Sequence, residues 1–326
     1  MSGFGNSRIF TNGHCHPRLQ TRALLKPAPI ATPLRKPLDA FSSISMVVLC
    51  LFWGLQQVAI KAFATQMSPT LQVSLRSLFA ALLVAVMMLV RRESLSLRDG
   101  TFRPGVLVGL LFGAEFLAVS VGLNYTTAGH MTVFLYTAPI FTVLGFHWLV
   151  REERMNRKQW LGVAVAFAGI VMAFSGSLFV PGGRNLLIGD AFGTLGGILW
   201  AATTLVIRGS RLSEAPATKT LLYQLIGAAV LGLPFAWFTG RMEHISWSPG
   251  VWGNLVFQTL VVAFASYLFW FFLLTRYLAS RLSVFSFLTP LFGVSFGVLL
   301  LKEPLDWRFV CGAVLVLSGI MVVNRR

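Results

Sequence analysis

The chain has 326 residues, 56% of them hydrophobic and only 12% charged, with 27 Lys and Arg against 11 Asp and Glu and a net charge of +16. An ordinary soluble domain carries about 25% charged residues, and a chain this apolar would expose contiguous apolar surface in water, so lipid is the expected solvent. Basic residues fall in short clusters between apolar stretches rather than along a polar face, which argues against nucleic acid as a partner, and three scattered cysteines, Cys15, Cys50 and Cys311, make neither a disulfide framework nor a zinc site.

In chain order, residues 1–42 come first: polar, Pro-containing and Arg-rich, with Asp39 as their acid. That composition fits a disordered basic tail against an anionic membrane surface, or an organellar targeting segment. His14, Cys15 and His16 lie in it without the fourth ligand or the spacing of a metal site. Crossing lipid takes about 20 mostly apolar helical residues, and ten such stretches follow. They run Ile44–Phe63, Leu71–Val90, Gly105–Leu123, Met131–Val150, Trp160–Leu178, Leu187–Ile207, Thr220–Phe238, Val251–Leu274, Leu282–Leu301 and Leu305–Val323. Helices are expected because lipid offers no partner to a free backbone amide. Cytoplasmic loops retain Lys and Arg. The N-terminal segment carries Arg8, Arg18, Arg22, Lys26, Arg35 and Lys36, and alternate loops with the C-terminus carry Arg91, Arg92, Arg98, Arg103, Arg151, Arg154, Arg157, Lys158, Arg208, Arg211, Lys219, Arg276, Arg281, Arg325 and Arg326, whereas the opposite loops hold Arg184, Arg241, Lys302 and Arg308. Both termini are therefore expected in the cytoplasm.

The chain repeats once, at about 150 residues. Trp53, Gln57 and Lys61 recur as Trp200, Thr204 and Arg208 within WGLQQVAIK and WAATTLVIR; YTAPIF around Pro139 matches FLTPLF around Pro290; Glu153, Gly162 and Gly169 recur as Glu303, Gly312 and Gly319. Each half holds five spans, an odd number, so the second copy enters the membrane inverted. Inverted halves can rock about a cavity between them, which is how a transporter works. These strings, with LQVSLRSL, GLNYTTAGHMTVFLYTAPIFTVL, REERMNRKQWLG and ASRLSVFSFLTPLFGVSFGVLLLKEPL, resemble the two EamA modules of the drug/metabolite transporter superfamily over residues 42–326. The resemblance implies an all-α integral membrane protein with ten transmembrane helices as two inverted five-helix repeats, 43–178 and 187–324. It also implies a bacterial inner-membrane carrier, often an exporter, of amino acids or other small metabolites.

Ionisable residues inside spans are costly and mark functional candidates. Glu115, the only acid near the midplane of a predicted span, is expected to couple transport to charge or protons: burial favours its neutral form, and Arg76, close enough in depth to pair with it, favours the carboxylate. An ion pair that only fixes helix packing is the other reading. Trp53, Gln57 and Lys61, four residues apart, form a stripe mirrored by Trp200, Thr204 and Arg208. An aromatic face, a hydrogen-bonding group and a cation suit a zwitterionic or aromatic solute, although Trp53 and Gln57 also suit helix packing and Arg208 suits snorkelling to the interface. Tyr136, Thr289, Tyr267 and Trp270 complete the candidate solute site, beside Ser266, with the cavity expected between spans 1, 3, 4, 6, 8 and 9. Pro139 and Pro290 each remove a backbone donor, as gating hinges or static bends. The glycine rows 105, 109, 113 and 189, 193, 197 read as close helix contacts, and His147 as an interface residue. The chain reads as a secondary transporter with no cofactor and no metal, its partners a small solute and the bilayer. No GxxxxGK[ST] loop exists for nucleotide. The rival reading is an intramembrane enzyme acting on a lipid-soluble substrate, for which no HExxH or clustered acid and histidine is found.

Overall fold

The computed structural model describes residues 39–94, 96–149, 156–177, 183–243, 245–277, 285–286 and 288–324. The expected tail up to residue 38, with His14, Cys15 and His16, lies outside them, as do the loop arginines 151, 154, 281, 325 and 326.

Polar caps set where the helices start. Helix α1 (Ala40–Ala62) opens on a reciprocal cap: Ser42 N–H donates to Asp39 Oδ1 at 2.7 Å while Asp39 N–H donates to Ser42 Oγ at 3.0 Å. Residues 40–42 are thus the first turn of α1 rather than the end of a tail. Helix α2 (Pro69–Val90) starts with Ser68 as cap and Pro69 in its first turn, where a missing donor costs nothing. Helix α3 (Phe102–Gly122) is followed by α4 (Ala128–Leu135), capped by Thr127, and α5 (Ala138–Leu149). Pro139 explains the break between α4 and α5, because it cannot donate to Leu135 O and its ring crowds that carbonyl. Thr137 Oγ1 donates to Phe134 O at 2.6 Å across the interruption.

Then come α6 (Arg157–Ser177), α7 (Gly183–Arg208) and α8 (Ala217–Phe238). Helix α9 (Pro249–Val256), a π-helical stretch (Phe257–Ser266) and α10 (Tyr267–Arg276) run on as one rod, and α11 (Leu288–Leu301) and α12 (Trp307–Asn324) close the chain. Pro290 sits in the first turn of α11. Among the described residues seven helical segments are long and apolar enough to cross a membrane: Ala40–Ala62, Pro69–Val90, Phe102–Gly122, Ala128–Trp148, Gly183–Arg208, Ala217–Phe238 and Pro249–Trp270. Leu288–Leu301 and Trp307–Val322 are shorter apolar helices.

Apolar side chains also cover the outside, for example Leu82, Val86 and Leu89 on α2, Val230 on α8 and Leu299 on α11. Lipid tails are as apolar as these side chains, so close packing and polar contacts must hold the helices together. Glycine supplies the closest approach. A Cβ on Gly227 of α8 would lie 2.0 Å from Gly109 O of α3, and one on Gly312 of α12 2.7 Å from Gly169 O of α6. The principal contacts pair α6 with α12, α3 with α7 and α8, and α2 with α8; α1 packs on α11, and α7 on α4 and α5. The first helix of each half of the sequence therefore packs on the helices around the other half's Pro139 or Pro290.

Candidate functional site

A cavity with about 180 Å³ of room for water-sized molecules lies among α1, α3, α4, α7, α8 and α10. Trp53 and Gln57 reach it from α1, Glu115 from α3, Tyr136 from the α4–α5 break, Trp200 from α7, and Tyr267 and Trp270 from α10. Seven of the residues expected at a solute site thus share one wall. Gln56, Phe112, Phe116, Leu135, Leu221 and Gln224 join them, and sequence periodicity gave no signal for these apart from Gln56, which adjoins Gln57.

The aromatic rings brace one another. Trp53 meets Trp270 edge to face at 5.9 Å, and Tyr136 meets Trp200 at 5.2 Å. Trp53 Nε1–H donates to Ser266 Oγ at 3.0 Å, which fixes the indole. Ser266 in turn donates to Val262 O at 2.5 Å within the π-helical stretch. Extra residues in a π turn shift the register of the following helix, and here that helix carries Tyr267 and Trp270.

Glu115 is only 4% exposed and is the one carboxylate on the wall among the described residues; its Oε2 has no protein hydrogen-bond partner. The expected Arg76–Glu115 ion pair does not form: among the described residues no ion pair links them. Arg76 is instead turned to α9's continuation, its Nη1 donating to Gln258 Oε1 at 2.8 Å and its guanidinium lying 4.5 Å from the Phe116 ring centre. Gln258 Nε2 donates onward to Gln56 O at 3.1 Å. Arg76 therefore sits behind the wall, and Phe116 stands between it and the space.

Three further expected residues lie off the wall. Thr204 Oγ1 donates to Trp200 O at 3.0 Å, a bond within its own helix. Thr289 is fully buried beside Gly54, where a Cβ would come within 3.0 Å of Thr289 O. Lys61 points past the cavity, and its Nζ donates to Leu123 O and, at 2.8 Å, to Thr126 O. Arg208 lies 5.4 Å from the Phe146 ring centre and His147 5.4 Å from that of Trp160.

The Lys61 end holds a polar cluster that the sequence did not reveal. Asp190, fully buried, accepts from Thr126 Oγ1 at 2.6 Å and lies 3.0 Å from His130 Nδ1. The His130 ring stacks on Phe309 with centres 3.8 Å apart. Glu303 accepts from the N–H groups of Ala128 (2.7 Å) and Gly129 (3.1 Å) at the start of α4. A span starting at Leu187 makes Asp190 terminal, whereas α7 begins at Gly183 and places it two turns inside.

At the opposite end, Lys219 at the start of α8 is bonded to Asp99 of the α2–α3 loop, and that ammonium, with the Thr101 hydroxyl and N–H, holds the Asp99 carboxyl well below the usual carboxylate range.

The model of the EamA-like transporter family matches this chain twice, over residues 40–175 and 187–325, and the chain belongs to that family. A transporter from Bacillus subtilis named YoaV, described as uncharacterized, is 23% identical, covering 86% of this chain and 95% of that protein. An uncharacterized transporter from Archaeoglobus fulgidus is 29% identical, covering 87% and 98%. A Salmonella typhimurium protein named as a probable amino-acid metabolite efflux pump is 25% identical, covering 87% and 94%. A crystal structure at 18% identity superposes with a TM-score of 0.61, covering 89% of this chain and all of the other, which establishes likeness of fold. The chain is a multi-pass membrane transporter of small solutes.

Proposed function

We propose that this member of the EamA-like transporter family is a secondary carrier that exports amino acids or related small metabolites by alternating access. In this reading ten transmembrane helices form two inverted five-helix repeats, 43–178 and 187–324, in a bacterial inner membrane, with both termini in the cytoplasm. The cavity carries the proposal. Its wall combines five indole and phenol rings, three glutamines and a single carboxylate with an unpartnered oxygen. Rings accept an apolar or aromatic body, glutamines supply donors and acceptors, and Glu115 attracts an ammonium. Supporting the repeats are the tandem family match and the reciprocal packing of α1 on α11 and of α7 on α4 and α5. The efflux name of the Salmonella relative supports the direction.

Pro139 and Pro290 lie where each half's fourth span is interrupted or begins, so they serve as the proposed hinges. The test is counterflow: purified protein in liposomes loaded with unlabelled amino acid is given a panel of labelled amino acids outside. Transient accumulation of at least one is expected. Absence of accumulation across the panel overturns the amino-acid assignment.

A further inference from the structure

We propose that His130 and Asp190 form a proton-operated latch that closes the cavity at the end where α1 stops and α4 starts. This rests on the alternating-access reading of the cavity. Its position comes from three helices at once. On α1, Lys61 is one turn beyond the wall residue Gln57; on α4, His130 is five residues before Leu135, roughly 8 Å; on α7, Asp190 is ten residues before Trp200, roughly 15 Å. At the other end the wall continues to Leu221 and Gln224, within two turns of the start of α8. The latch thus caps one end of the space while the wall extends toward the other.

What the latch joins is the second point. His130 belongs to α4 and Asp190 to α7, elements from either side of the repeat boundary, and their 3.0 Å contact joins the two, as an ion pair whenever the imidazole carries its second proton. Two more charged groups grip the same 123–130 segment: Lys61 from α1 through the carbonyls of Leu123 and Thr126, and Glu303 from the α11–α12 connection through the amides of Ala128 and Gly129. Neither Lys nor Glu ordinarily changes charge near neutrality, whereas His does. The ring is only 7% exposed and lies flat on Phe309, a face that suits a cation. With the proton, the pair is neutral overall and the end stays shut. When the proton leaves His130, the charge attraction across the boundary falls to a neutral hydrogen bond while Asp190 keeps its charge, and the weakened hold favours separation of α4 from α7, which lets water reach the carboxylate. Acid therefore closes this end and base opens it.

The test uses the full chain with Cys15, Cys50 and Cys311 replaced by Ser and a single probe, Gln57→Cys, on the cavity wall. An impermeant cationic methanethiosulfonate reagent is added to right-side-out and to inverted membrane vesicles, with pH equal on both sides from 5 to 8. The ratio of the two labelling rates cancels the thiol's own ionisation. That ratio, latch face over opposite face, is expected to rise with pH, approaching about tenfold per pH unit for one proton. His130→Gln keeps a hydrogen-bond donor but cannot titrate, and should flatten the profile; Asp190→Asn should flatten it independently. A flat profile in the protein with His130 and Asp190 intact overturns the latch, as does an undiminished slope in either variant that inserts. Labelling from one face only, at every pH, overturns alternating access itself.

Discussion

Single side chains carry the sharpest consequences. Glu115 has an unpartnered oxygen on an otherwise uncharged wall, so Glu115→Gln, an uncharged isostere, should insert and express as the parent does. A charge-assisted hydrogen bond contributes about 1.5–3 kcal/mol, so its loss should cut counterflow by about tenfold or more and remove Glu115's own share of the pH dependence. Unchanged flux would leave Glu115 a packing residue. Asp99 makes a prediction of another kind. Its carboxyl is held low by Lys219, so its contribution to stability is complete above the ordinary Asp range, about pH 4, and is lost as pH falls through the depressed folded value. Asp99→Asn should therefore lower Tm in detergent at neutral pH, and the gap from the parent should narrow steadily below about pH 4. A gap that stays constant to pH 2 would mean the loop is held by something other than this pair.

Helices meet through glycine, and substitutions there separate packing from propensity. In an isolated helix Ala is favoured over Gly by about 1 kcal/mol. Gly253 of α9 has nothing within 4 Å of an added Cβ, so Gly253→Ala should raise Tm. Gly227→Ala should lower it, by about 1–3 kcal/mol of overpacking, because the new carbon would fall 2.0 Å from Gly109 O. Thermal unfolding in detergent compares the two directly, and equal shifts would refute the close contact. The α4–α5 break tests the hinge. Pro139→Ala restores the donor to Leu135 O, so the protein should fold with unchanged or higher Tm while counterflow falls; full flux would make the break a static bend.

For the whole molecule, the proposed orientation rests on loop charge. A phosphatase that works only outside the cytoplasm should be inactive when fused after residue 324 and active when inserted at the Gly240–Met242 turn between α8 and α9. The reverse result would invert the topology and move the proposed latch to the cytoplasmic face.

Composition alone required lipid, because 12% charge cannot cover a 326-residue surface in water. Apolar length set the helices, as a backbone in lipid must satisfy itself within each span. Trp53, Gln57, Glu115, Tyr136 and Trp200 were legible since aromatic, amide and acidic side chains stand out inside apolar runs. Other features were decided by contacts between segments far apart in the chain. Arg76 turned to Gln258, 182 residues away, rather than to Glu115, because rotation about a helix axis is set by packing and not by depth. The π-helical stretch that aims Tyr267 and Trp270 has no periodic signature, and Lys61 left the solute wall for two backbone carbonyls. His130 and Asp190 look terminal in sequence, and Glu303 stands out there only as the repeat counterpart of Glu153; they become one cluster only when α4, α7 and the α11–α12 connection converge, since a buried charge is stable only beside a partner that the fold brings to it.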